Sequence, residues 1–116
     1  MSATGPFRLS GSEREFVIAA LLQAPGHCSD ELARALGFLD ANDCSLPANR
    51  YIQSLRLLKI PPIGEWRRIL SIVEIMFCSE VFGSGIEWEL ITGISDSESL
   101  RNLRAIQSRL VAIVHR

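Results

Sequence analysis

The stretch that most restricts how this chain folds is "GEWRRILSIVEIMFCSEVFG", Gly64 to Gly83. Trp66, Ile69, Leu70, Val73, Met76 and Phe77 recur there at intervals of three and four residues, and Ile72 and Ile75 widen the apolar arc. A surface helix needs only one apolar stripe, so a helix greasy over this much of its circumference belongs at the centre of a core. The pattern predicts that Trp66, Val73 and Phe77 are buried, and it obliges the remaining chain to supply amphipathic partners.

Helix signals supply them from end to end. Ser12-x-x-Glu15 has the form of a capping box, and Phe16, Val17, Ala20, Leu21 and Ala24 follow at helical spacing until Pro25-Gly26. Asp30 and Glu31 suit a helix N-terminus, Leu32, Ala33 and Leu36 share a face, and Gly37 is placed to end that helix. Residues 38–46, rich in Asp, Asn and Ser, predict a loop. Pro47 is expected to open the next helix, with Tyr51, Ile52, Leu55 and Leu58 on one side and Pro61-Pro62 as its end. A last helix starts near Ser95 to Ser97, with Leu100, Leu103, Ile106, Leu110 and Ile113 as its buried stripe.

Between the last two helices lies "FGSGIEWELITG", Phe82 to Gly93, where Ile86, Trp88 and Leu90 alternate with Glu87 and Glu89. Alternation is a strand pattern, but Ser84-x-x-Glu87 is a second capping box and Gly93 a natural stop. A short helix from Gly85 to Thr92 is expected, with one short hairpin near residues 72–92 as the alternative. A chain of 116 residues with 47% apolar and 22% charged residues has enough material for one core. The expected fold is therefore all-α: residues 1–116 form a single helical domain, a compact bundle of five or six helices, with residues 1–11 a flexible N-terminal segment.

Several chemistries fail on spacing. Gly83-Ser84-Gly85 follows a helix and has no nearby lysine, so it lacks the rest of a phosphate loop. Glu87 and Glu89, two residues apart, face different ways in a helix or a strand and would not share a proton. His27-Cys28 are adjacent and point apart, and His115 is near the chain end. Cysteines 28, 44 and 78 lack zinc-site spacing, and suit reduced thiols better than a disulfide framework. "DANDCS", Asp40 to Ser45, begins like a calcium loop but lacks its glycine and its final glutamate. No catalytic residue, metal ligand or cofactor is predicted, and no small-molecule substrate.

Charge narrows the partners. The formal net charge of −1 gives no basic face for phosphate neutralisation, and residues 1–60 carry six basic and six acidic groups. "SDELARALG" followed by Arg50, Gln53 and Arg56 is weakly like a helix-turn-helix, but nine residues separate Gly37 from Pro47, where that motif uses three or four. No stretch is long enough to span a bilayer, and no secretory signal is visible, so a cytoplasmic location is expected. The eleven arginines against one lysine fit GC-rich bacterial coding sequence. The uneven feature is the run from Ile69 to Leu100, with no Lys or Arg and six acids: Glu74, Glu80, Glu87, Glu89, Asp96 and Glu98. Four arginines and no acid follow it, from Arg101 to Arg116.

A block of one sign steers an oppositely charged partner even when the total charge is near zero. Glu80, Glu87, Trp88, Glu89, Asp96 and Glu98 are the expected partner-binding residues, Trp88 serving as an aromatic anchor. The competing expectation is internal neutralisation by Arg101 and Arg104. This profile is similar to that of bacterial immunity or antitoxin-type inhibitors, which occlude a toxin's active surface. The expected function is a non-enzymatic protein-binding module that meets a basic, nuclease-like partner protein. The alternatives are a helix-turn-helix DNA-binding regulator using residues 29–59, or a small enzyme whose site is scattered along the chain.

Overall fold

α1 spans Gly11–His27, α2 Asp30–Ala35 and α3 Ala41–Arg56. A 3-10 turn, Ile63–Glu65, leads into α4, Trp66–Cys78; α5, Trp88–Thr92, and α6, Asp96–Val114, complete the chain. This computed structural model describes residues 8–27, 29–35, 37–78 and 87–114. Six α-helices and no strand occur among the described residues, so the all-α expectation holds and the hairpin alternative does not: residues 72–78 are helical. The Cα radius of gyration, 13.7 Å, is that of a single compact domain of this length.

The centre of the packing is α1, against which α3, α4 and α6 all lie. Phe16, Val17, Ala20, Leu21 and Ala24 are buried as their spacing predicts, and the small Ala20 and Ala24 let neighbouring helices approach. α4 contributes Trp66, Ile69, Ile72, Val73 and Met76 to the same core. Phe77 is only partly buried, because it sits at the edge of an aromatic cluster rather than inside the helix interface. Its ring meets Phe16 at 5.8 Å and Trp88 at 5.1 Å, both edge to face. From α6, Leu103, Ile106 and Leu110 are buried, whereas Leu100 is exposed and the side chain of Ile113 lies outside the described residues.

Helix boundaries differ from the sequence reading in instructive ways. The box that opens α1 is Ser10-x-x-Glu13, not Ser12-x-x-Glu15. The Glu13 amide donates to Ser10 Oγ at 3.1 Å and the Ser10 amide to Glu13 Oε1 at 2.8 Å. Ser10 and Gly11 thus belong to the folded helix start, not to a flexible segment; residues 1–7 lie outside the described residues. Ser12 is freed to join α1 to α6, donating to Glu98 Oε2 at 3.3 Å and accepting from Asn102 Nδ2 at 3.1 Å. α1 continues past Pro25-Gly26 to His27.

α3 starts at Ala41, six residues before Pro47, because Asp40 and Asp43 cap it reciprocally. Asp40 Oδ1 accepts from the Asp43 amide at 2.9 Å, and Asp43 Oδ2 from the Leu39 amide at 2.9 Å. The residues expected to make a loop are a helix start, and Pro47 sits inside the helix. At the other end α3 stops before the prolines. Leu58 adopts the left-handed conformation, φ 60°, while its amide reaches the Leu55 carbonyl at 3.1 Å and the Lys59 amide the Ser54 carbonyl at 2.8 Å. That bond pair is the Schellman ending, normally built on glycine. It turns Leu58 out of the predicted apolar stripe and into solvent.

Candidate functional site

The acidic corner is assembled by two helix ends. α5 is one and a half turns long, too short to persist alone, and is fixed by its first residue. Trp88 is fully buried, packs edge to face on Phe16 and Phe77, and donates its indole N–H to the buried Ser99 Oγ at 2.7 Å. Gly93 then ends α5 in the left-handed conformation, φ 76°, its amide reaching the Glu89 carbonyl at 2.9 Å. The predicted stop is therefore where the sequence placed it; the described helix runs Trp88–Thr92, and the expected start at Gly85 lies outside the described residues.

This geometry corrects the role expected for Trp88. It is a core side chain that anchors α5 to α6, and it is not available to a partner. In a helix, residues two apart lie on nearly opposite sides, so burying Trp88 turns Leu90 outward. Leu90 is 89% exposed, with Ile91 partly so, and sequence reasoning missed both. The sequence held half of the signal: in a helix Trp88 and Thr92 share one face and Leu90 takes the other, but not which face is covered.

Glu87, Glu89, Asp96 and Glu98 are all exposed at this corner. Glu89 also has a local task, its Oε1 accepting the Asp96 amide at 2.8 Å and so capping α6. The Glu98 amide donates to Ser95 Oγ at 3.1 Å, which completes that N-terminus. Asp96 and Glu98 in the first turn also complement the helix dipole. Glu80 lies outside the described residues. No ion pair joins Glu87 or Glu89 to Arg101 or Arg104 among the described residues, so the internal neutralisation weighed from the sequence is not seen between these side chains.

One arginine of the last helix does find a carboxylate. Arg109 bonds Glu13 Oε2 and the Arg8 carbonyl oxygen, clasping the start of α1. Burial opposes the charged form of Glu13. The Arg109 hydrogen bond, with help from Ser10, outweighs it and holds the carboxyl below its ordinary range.

Cys28 and His115 lie outside the described residues, as does the side chain of His27. No group of three or more His, Cys, Asp or Glu side chains converges to hold a metal among the described residues. No described helix is long and apolar enough to cross a membrane. Comparison with known proteins finds no family model, curated protein or solved structure that matches this chain.

Proposed function

We propose that this chain is a protein-binding module that works without chemistry of its own, an inhibitor of the immunity or antitoxin kind, and that its acidic corner docks on a basic partner. The observation that carries this reading is Leu90, 89% exposed, next in the chain to the exposed Glu89 and three residues after the exposed Glu87. A projecting apolar side chain close in the chain to exposed carboxylates combines a desolvatable contact with a field that selects a basic surface. Occlusion of a nuclease-like partner needs no more than this: the carboxylates take the place of substrate phosphates on its arginines and lysines.

The experiment is affinity capture from the native host with wild-type protein, Leu90→Asp and Glu87→Lys in parallel. A basic protein retained by the wild type, lost by both variants, and inhibited in its own activity by wild-type protein alone supports the proposal. Equal retention by all three, or retention without inhibition, counts against it.

DNA binding through α2 and α3 gains one observation, since α3 starts at Ala41 rather than at Pro47 and so lies closer to α2 in the chain. It loses more on charge. Asp30 and Glu31 open α2 while Asp40 and Asp43 cap α3, so carboxylates stand where a recognition helix meets the groove.

A further inference from the structure

Two adjoining clefts lie away from the acidic corner, around the start of α4. The larger, about 530 Å³, lies between the 3-10 turn, α4 and the end of α6, with Ile63, Leu70, Leu110 and Val111 as its apolar lining. The smaller, about 390 Å³, lies beside Ala35 of α2 and is lined by Arg67 and Arg68. Gly64, Arg67 and Ser71 border both, so an apolar trough opens directly into a cationic one.

The second cleft keeps a net positive lining, Arg67 and Arg68 against the single carboxylate of Glu65. Neither Arg67 nor Arg68 forms an ion pair among the described residues. Arg68 is steadied over the Phe38 ring, 4.7 Å from its centroid. Each cleft also carries one acid, held by a neutral donor: Glu65 accepts the Tyr51 hydroxyl at 2.9 Å, and Glu74, beside the apolar trough, accepts Gln107 Nε2 at 2.6 Å. Both arginines stand in the first turn of α4, whose dipole adds to their field.

We propose that the two clefts form one binding site for a single-chain amphipathic carboxylate. Its head group sits on Arg67 and Arg68 and its tail runs along Ile63, Leu70, Leu110 and Val111. A bare anion would leave the trough empty, and a cationic amphiphile would bring like charge to the guanidinium groups. A planar carboxylate matches the guanidinium fork, and the tail removes apolar surface from water.

Titration calorimetry of the whole chain with sodium decanoate, below its micelle concentration, is expected to show one saturable site. Decyltrimethylammonium, equal in tail and opposite in charge, is expected to bind at least tenfold more weakly, and acetate not to register. Arg67→Gln and Arg68→Gln should each weaken decanoate binding by about tenfold, as for loss of one charged hydrogen bond. Val111→Trp, a change at an exposed position that fills the trough, should weaken it without lowering the melting temperature. Glu87→Lys should leave it unchanged, so this site stands or fails apart from the acidic corner. Equal binding of both amphiphiles, uptake without saturation, or wild-type affinity in the double arginine variant overturns the proposal. Tighter binding of an acidic, leucine-rich peptide than of decanoate overturns it too, by making the trough a protein-docking surface.

Discussion

Leu58 holds a backbone conformation that costs a side chain with a Cβ about 1 kcal/mol and offers it nothing in return, since the side chain is 69% exposed. Leu58→Gly should therefore stabilise the fold, by about 0.5–1 kcal/mol in urea denaturation with an unchanged m-value. Destabilisation would show that the leucine makes a contact that matters more than its strain. Glu13 is a second residue whose surroundings set its behaviour. It keeps its charge to lower pH in the fold than in the unfolded chain, so its contribution is fully present above the ordinary value of 4.5 and is lost as pH falls through the folded value. Glu13→Gln keeps the capping geometry and removes the charge facing Arg109. It should be less stable than wild type by about 1–2 kcal/mol at pH 7, with the gap closing in acid. A gap independent of pH would assign the loss to packing.

Among the elements, α5 depends most on a single group. Trp88→Phe keeps one ring beside Phe16 and Phe77 but gives up part of the buried indole and leaves the buried Ser99 hydroxyl without its donor. The expected loss is about 1–3 kcal/mol. A loss near zero would show that ring packing alone positions α5. Glu89 has a comparable hold on α6, because its carboxylate caps the Asp96 amide. Charge reversal at Glu89 would therefore disturb the fold, and Glu87→Lys is the cleaner probe of the acidic corner. The elements also show what the sequence could disclose. The apolar faces of α1 and α4 and the glycine stops at Gly37 and Gly93 were legible, because periodicity and left-handed turns are local properties. The start of α3 was not, since Asp40 and Asp43 suit a turn as well as a cap and Pro47 argued for a later beginning. The fate of Trp88 and Leu90 was not legible either. Which of two opposed side chains is covered depends on α1 and α6, far away in sequence.

At the scale of the molecule, four exposed carboxylates gather on α5 and its flank and at the start of α6, Glu87, Glu89, Asp96 and Glu98, while two exposed arginines, Arg67 and Arg68, stand at the start of α4. The sequence showed the acidic run, but not that Arg101 and Arg104 would leave Glu87 and Glu89 unpaired, because charge pairing is settled by helix packing rather than by order along the chain. One long-range link bears on how the molecule comes together. Arg109 and Glu13 are 96 positions apart, and joining them closes nearly the whole chain into a loop. The entropy of such a closure is lost before the bond returns anything, so nearer pairings such as α1 with α3 are expected to form first. The clasp then belongs to the far side of the rate-limiting barrier, acting as a latch on a structure already built. In stopped-flow experiments Glu13→Gln should quicken unfolding several-fold while refolding keeps its wild-type rate. If refolding slowed instead, the ends of the chain would be meeting at the barrier itself. As a latch, the pair sets how long the molecule stays folded rather than how fast it gets there.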